Sequence, residues 1–176
     1  EGSVNQMEIL QDEAVRIQDV QFKQIGAGND EVELTFYAGR RVSLRGRVED
    51  PRIQRVLAHV LFSERNTGVR LQAISTIGSG AVQSPRGEIR TALIAAMKSD
   101  ENPAVRQQAL EVLRQEVDQP EVIGAFLYVL RYDQNAKLRM EAVQVLRQLL
   151  GTELEMEDEV RKVFEEKMEN DSNDYI

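Results

Sequence analysis

The chain has 176 residues, of which 41% are hydrophobic and 30% charged, and its formal net charge is −8. This length suits one domain with a sizeable core, and the composition excludes collagen-like, low-complexity and wholly disordered proteins. The chain has no cysteine and a single histidine, His59, which excludes disulfides, thiolate zinc sites, cysteine nucleophiles and paired-histidine metal sites. We therefore expect no cofactor, no metal and no catalytic residues.

The negative charge lies mostly at the C-terminal end. Residues 151–176 hold 10 acidic and 3 basic residues, whereas residues 1–150 hold 20 and 19. Clustered arginines are typical of phosphate-binding surfaces, but an acidic chain repels polyanions, so nucleic-acid binding is the weaker interpretation of the one arginine cluster. That cluster comprises Arg40, Arg41, Arg45, Arg47, Arg52 and Arg55.

The N-terminal part predicts a small sheet. Residues 1–18 are expected to form a linker or a short helix. Residues 19–48 alternate apolar and polar side chains, as half-buried strands do, with glycines at the turns. They predict a three-stranded antiparallel meander that caps the helices after it. Its apolar positions are Val20, Phe22, Val32, Leu34, Phe36, Val42 and Leu44.

An internal repeat occupies the rest of the chain. The pattern Asn-x-x-apolar-Arg-x-x-Ala-apolar-x-x-apolar begins at Asn66 and returns 36 residues later at Asn102 and 33 residues after that at Asn135. In each copy the apolar positions form one stripe of a helix. They are Val69, Ala73, Ile74 and Ile77, then Val105, Ala109, Leu110 and Leu113, then Leu138, Ala142, Val143 and Leu146.

A second apolar stripe precedes each copy at a fixed distance. Ile53, Ile89 and Val122 begin these stripes, and each lies 16 residues before the first apolar residue of the copy that follows. The constant spacing predicts a helix hairpin repeated three times.

Residues typical of helix ends support these boundaries. The three asparagines that begin the copies are suited to N-caps, and proline is tolerated at a first helical position because its missing N–H has no partner there. Glycine favours helix C-termini. The prolines are Pro51, Pro85, Pro103 and Pro120, and the glycines are Gly78, Gly80 and Gly151.

A further first-helix stripe, at Val160, Val163, Phe164 and Met168, predicts a half-repeat. We therefore expect a repeat domain over residues 50–170 and a flexible tail over 171–176. The predicted fold class is mainly α, a right-handed α-α superhelix with the small sheet at its N-terminus.

The repeated motif resembles the HEAT-repeat family over about residues 50–150. The resemblance rests on the three two-helix units, including Asn-x-x-Val-Arg-x-x-Ala at Asn66 and Asn102. It implies an armadillo-like α-solenoid that binds protein. The short repeat is also similar to repeats of phycobilin lyase-type proteins, which implies an alternative: an accessory protein holding a small cofactor.

The junction between strands and repeats carries a narrower resemblance. The segment RRVSLRGRVEDPRIQ, running from Arg40 to Gln54 into the helical units, is similar to the C-terminal part of bacterial membrane-anchored anti-sigma-factor-like zinc-finger proteins. The resemblance implies an extracytoplasmic regulatory domain. The zinc-binding and membrane-spanning segments of that family have no counterpart in this sequence.

One arginine position recurs in every copy. Arg70, Arg106 and Arg139 follow the cap asparagines by four residues, and Asp100 and Asp133 precede the last two arginines by six. We interpret these residues as a structural ladder, which the family resemblance implies, and not as an anion site. Glu64 stands where the first copy would have the aspartate.

The surface beside the core stripe of the second helices is the predicted partner-binding site, because second helices line the concave side of stacked hairpins. Most of its residues are long and uncharged. They are Leu71, Gln72, Ser75, Gln107, Gln108, Glu111, Met140, Glu141 and Gln144. The function predicted is a non-catalytic scaffold for an unidentified protein.

Overall fold

The computed structural model describes residues 17–25, 31–79, 87–150 and 162. Within them lie three strands, six α-helices and one short 3₁₀ helix, so the predicted fold class is confirmed: mainly helical, with an N-terminal three-stranded antiparallel sheet. The strands are β1 (Gln18–Ile25), β2 (Glu31–Tyr37) and β3 (Arg41–Arg47). The helices are α1 (Pro51–Ser63), α2 (Thr67–Ser79), α3 (Glu88–Ser99), α4 (Pro103–Leu113), α5 (Pro120–Tyr132) and α6 (Ala136–Leu150), and the 3₁₀ helix spans Arg114–Glu116.

Several predictions lie outside the described residues. They include the short helix before residue 17, the half-repeat stripe at 160–168, the tail at 171–176, and the helix ends expected at Gly80 and Gly151.

The sheet has the order β1-β2-β3, with both pairs antiparallel. Alternation puts every second side chain on the inner face, where Leu34 and Phe36 are fully buried and pair with Leu44 and Val42 across the strands. Phe22 was expected in the core, but it is only half-buried on edge strand β1.

The sheet packs on the first helix hairpin. Strand β3 contacts α1, and β1 contacts α2. The apolar inner face of the sheet must be covered, and the hairpin supplies the second layer of this core.

The first helices follow the predicted register. Every residue of their stripes is buried, including Leu57 in α1, Leu93 in α3 and Phe126 in α5. Pro51, Pro103 and Pro120 each lie in the first turn of a helix, as predicted. Pro85 lies outside the described residues, and α3 begins after Gly87, whose backbone is left-handed at φ 57°.

The second helices depart from the predicted register at a few positions. Val69 and Val143 were expected in the core but are half-buried, whereas Val145 is buried. Val145 lies seven residues after Leu138, on the same face of the helix, so it occupies the core position predicted for Val143. Gly78 does not end α2, which continues to Ser79.

The chain divides into two compact units, Glu1–Leu93 and Ile94–Ile176. The division falls within α3 and not at residue 49, where the sheet gives way to helices. Because the sheet and the first hairpin share a core, they belong to the same unit.

Candidate partner-binding surface

Each second helix begins with the same capped turn. The Oδ1 atoms of Asn66, Asn102 and Asn135 accept hydrogen bonds from the backbone N–H two residues later, at 2.9, 2.9 and 3.0 Å. These bonds satisfy amides that the helix itself leaves unpaired. The asparagines are therefore N-caps, as their position in the repeat predicts.

An acidic side chain stabilises each turn from the preceding side. Glu64, Asp100 and Asp133 each accept the backbone N–H of the cap asparagine two residues later, at 2.9 Å or less. Glu64 thus accepts in the first turn the same bond that Asp100 and Asp133 accept in the second and third turns.

The recurring arginine folds back onto this turn in all three copies. Nη1 of Arg70, Arg106 and Arg139 donates to the backbone carbonyl six residues earlier, at 2.9, 2.8 and 3.1 Å. These carbonyls belong to residues that follow the first helix of each hairpin. Each arginine therefore links the beginning of a second helix to the connection that leads into it.

Arg106 also joins two repeats. Its Nε and Nη2 donate to Oδ2 and Oδ1 of Asp133 at 2.8 and 3.0 Å, a bidentate pair whose side chains are 14% and 4% exposed. The hydrogen bonds to Asp133 raise the pKa of the Arg106 guanidinium. Such a buried, planar pair fixes the orientation of the two turns relative to each other.

The same two repeats meet on the predicted partner-binding surface. Helices α4 and α6 are in contact, and Nε2 of Gln107 donates to Oε1 of Glu141 at 2.9 Å. Glu141 also lies 3.7 Å from Nζ of Lys137, one helical turn earlier. Two residues predicted to face a partner therefore bind each other.

The other predicted residues of this unit differ in exposure. Glu111 and Gln144 are exposed, whereas Gln108 and Met140 are half-buried. Glu111 forms only a loose ion pair with Arg114, at 3.7 Å between largely exposed side chains. We name these four residues the α4–α6 face.

Helix α2 carries the predicted residues of the first unit. Leu71 is half-buried, and Gln72 and Ser75 are exposed. Ser75, Glu111 and Gln144 occupy the same position of the repeat, nine residues after the cap asparagine, and all three are exposed.

Two features were not predicted from the sequence. Glu116, in the 3₁₀ helix, is 1% exposed, although a glutamate between two helices ordinarily lies in solvent. Tyr128 and Tyr132 are exposed on α5, with ring centroids 4.9 Å apart, and Nζ of Lys98 lies 4.4 Å from the Tyr128 ring centroid. Their spacing of four residues was the available signal, because it places both rings on one face of the helix.

The arginine cluster is compensated by local acids. Arg52 donates to both carboxylate oxygens of Asp50, Arg47 pairs with Glu49 at 3.3 Å, and Arg45 lies opposite Glu33 in the sheet. The hydrogen bond from Arg52 holds the pKa of Asp50 below its usual range. A polyanion would have to compete with these carboxylates for three of the six arginines.

The part of the chain that the structure describes has no metal-binding cluster and no membrane-spanning helix. No group of three or more His, Cys, Asp or Glu side chains there is arranged to hold a metal ion. His59 is half-buried on α1. None of the described helices combines the length and apolarity needed to cross a membrane.

These features define a protein built from repeated helix hairpins, each with the same hydrogen-bonded turn between its helices. A model of HEAT repeats matches residues 53–147 and 89–176, and the chain therefore belongs to the HEAT-repeat family. HEAT repeats generally mediate protein–protein interaction, and such scaffolds are generally non-catalytic. Comparison with curated proteins gave no match, and comparison with solved structures gave none either.

Proposed function

We propose that this chain is a non-catalytic scaffold that binds another protein through the exposed residues of its second helices. The observation that carries the proposal is the construction of the α4–α6 face. The Gln107–Glu141 bond joins α4 to α6, and the Arg106–Asp133 pair joins α4 to the turn before α6, while Glu111 and Gln144 are exposed.

A surface held in this way suits recognition of a folded or extended partner. Few backbone degrees of freedom remain to be fixed on binding, so less conformational entropy is lost. Half-buried Met140 adds a flexible apolar side chain that adapts to different partner surfaces.

Site-specific photo-crosslinking in the native host tests this proposal. We expect a photoreactive amino acid at Ser75 or Gln144 to give one discrete crosslinked product. The same amino acid at Gly124, an exposed position on first helix α5 with no atom near its Cβ site, is the matched control and is expected to give none. Equal crosslinking from all three positions would contradict a site on the second helices.

Charge substitution gives an independent test. Ser75→Arg and Gln144→Arg are expected to reduce formation of that product while changing the free energy of unfolding by less than about 0.5 kcal/mol, because both positions are exposed. Undiminished crosslinking from a neighbouring position in both variants would place the partner elsewhere.

We further propose that this scaffold is the extracytoplasmic domain of a membrane-anchored anti-sigma-factor-like bacterial regulator. The support is the sequence resemblance of the segment from Arg40 to Gln54, where a strand leads directly into the first repeat helix. In the structure, β3 and α1 lie in contact across this segment.

Fractionation of the native host tests the narrower proposal. A membrane-bound product clearly larger than 20.0 kDa is expected. A native product of about this mass in the soluble fraction would overturn the anchored-regulator proposal and leave the scaffold proposal intact.

A further inference from the structure

The outer face of the sheet carries alternating charges over most of its area. Lys23, Glu33 and Arg45 form one row across the three strands, and Glu31 lies opposite Arg47 in the next row. Arg47 is also paired with Glu49. This part of the sheet therefore has three cations and three anions, which neutralise one another.

The other end of the sheet has a different composition. Its described charges are Asp19, Arg40 and Arg41, which sum to +1. Tyr37 lies opposite Arg41 in the β2–β3 pair and keeps 48% of its surface exposed. Among the described residues, no hydrogen bond or ion pair engages the side chains of Asp19, Tyr37 or Arg41.

These side chains surround a depression of about 270 Å³. Asp19, Gln21, Thr35, Tyr37 and Arg41 line it, together with Phe36, whose side chain lies on the buried inner face of the sheet. The volume lies just below the range of roughly 300 to 1,000 Å³ that holds whole small-molecule ligands. It suits one side chain of a larger partner.

A β-bulge shapes this depression. Gln18 pairs with Tyr37 but Gln21 pairs with Thr35, so β1 has one residue more than β2 between these pairs. Asp19 lies in the bulge with φ 53°, a left-handed conformation that few non-glycine residues adopt. Bulges redirect side chains and are enriched beside functional sites.

We propose that this depression, the β-bulge site, is a second protein-contact site, separate from the second helices, which takes a carboxylate-bearing side chain of a partner. Arg41 binds the carboxylate through its planar guanidinium, since two N–H groups match two carboxylate oxygens. The Tyr37 ring covers the apolar atoms of the partner side chain next to its carboxylate. Tyrosine and arginine are, with tryptophan, the residues most enriched at interface hot spots.

The local charge favours an anionic occupant over a cationic one. Asp19 and Arg41 are the charged residues of the described lining, and Arg40, next to Arg41 in the chain, adds a second cation at this end of the sheet. Arg41 is also exposed, and no side chain in the described part of the chain is paired with it, so a carboxylate can bind its guanidinium without displacing a described partner.

A peptide titration of the ¹⁵N-labelled full chain, followed by NMR, tests the proposal. The probe is the capped tetrapeptide Gly-Glu-Phe-Gly, with matched peptides carrying Gln or Lys in place of Glu. We expect saturable shifts of the amides of Asp19, Tyr37 and Arg41 with the Glu peptide, and about tenfold or weaker affinity for the Gln and Lys peptides, as expected for loss of a charge-assisted pair.

Three variants show which side chains contribute. Arg41→Gln is expected to weaken binding of the Glu peptide about tenfold or more, and Tyr37→Ala to weaken it as well. Arg45→Gln is the matched control, because it lies on the same face of the same strand opposite Glu33, and it is expected to bind as the unmodified chain does. Retained dispersion of the spectrum shows that each variant is folded.

Three results with the peptides would overturn the proposal: equal affinity for the Lys and Glu peptides, absence of any saturable shift, and unchanged affinity in both Arg41→Gln and Tyr37→Ala. The same shifts on raising the concentration of the chain alone would also overturn it, because they would assign the depression to a second copy. None of these outcomes bears on the second helices, so the two sites are tested separately.

Discussion

Two glycines in this chain have opposite backbone requirements. Gly39 has φ 70° in the β2–β3 turn, whereas Gly124 lies in helix α5; in the described part of the chain, neither Cβ site has an atom within 4 Å apart from the local backbone. The effect of adding a methyl group is therefore set by the backbone alone.

We expect Gly124→Ala to raise the free energy of unfolding by about 0.5 to 1 kcal/mol, because alanine has the higher helix propensity. Gly39→Ala is expected to lower it by about 1 kcal/mol, because a Cβ disfavours the left-handed conformation. Urea unfolding measures both, and effects of the same sign would contradict this account.

Asp50, at the start of α1, makes a pH-dependent contribution to the free energy of unfolding. Its carboxylate accepts the Arg52 N–H at 2.9 Å and the Arg52 guanidinium at 2.7 Å, and its pKa is lowered mainly by the latter interaction. A carboxyl group with a lowered pKa stabilises the fold above its unfolded pKa, about 3.9, and this contribution is lost as the pH falls through the folded pKa.

We expect Asp50→Asn to flatten the loss of stability below about pH 4 relative to the unmodified chain, because asparagine keeps the cap but does not titrate. Urea unfolding between neutral and acidic pH gives the two curves. Parallel curves would mean that Asp50 does not titrate differently in the folded and unfolded states.

At the residue scale, the sequence predicted interactions that span a few positions. The asparagine caps follow from a side chain and an amide two residues apart, so local pattern is sufficient. The left-handed Asp19 was not predicted, because a bulge depends on the register of two strands and aspartate carries no strong preference for it.

At the scale of elements, the repeated turn links each second helix to the connection before it, and Arg106 also links its turn to that of the next repeat. Asp133 accepts two bonds from Arg106 and one from the Asn135 N–H, and its side chain is 4% exposed. The Glu111–Arg114 pair provides a contrast, since its side chains are 69% and 45% exposed.

We expect Asp133→Ala to lower the free energy of unfolding by about 2 to 3 kcal/mol, because it removes the acceptors of two N–H groups of a nearly buried guanidinium and of one backbone amide. Glu111→Ala is expected to change it by less than about 0.5 kcal/mol, as for most exposed pairs. A double-mutant cycle with Arg106→Met isolates the pair, and a coupling energy near zero would show that Arg106 and Asp133 act independently.

Helix positions were well predicted at this scale, and contacts between helices were not. Periodicity identifies which face of α4 or α6 is apolar, but the Gln107–Glu141 bond joins residues 34 positions apart. Whether these side chains meet depends on the distance between two helices, which no local pattern encodes. Which of the predicted site residues remain exposed could therefore be decided only from the structure.

At the scale of the whole molecule, the two compact units allow a regional test of stability. In repeat proteins each unit is stabilised by its own core and its neighbours, so a core defect acts most strongly nearby. Phe126 is fully buried in the second unit, and Leu34 is fully buried in the first.

We expect Phe126→Ala, which costs about 3 to 5 kcal/mol, to speed amide exchange most within residues 94–150 and least in β2 and β3. Leu34→Ala is the reciprocal variant, with the reverse order expected. Hydrogen exchange read by mass spectrometry distinguishes the regions, and a uniform increase in both variants would show one cooperative unit.

The capped turn also bears on how such a chain lengthens. The bonds among Asp100, Asn102 and Arg106 lie within seven consecutive residues, and the Arg106–Asp133 pair reaches the next repeat. A duplicated unit would therefore carry a complete turn with it, together with one donor and one acceptor for joining its neighbours. Growth by tandem duplication then preserves both the fold of each unit and the means of linking it to the next.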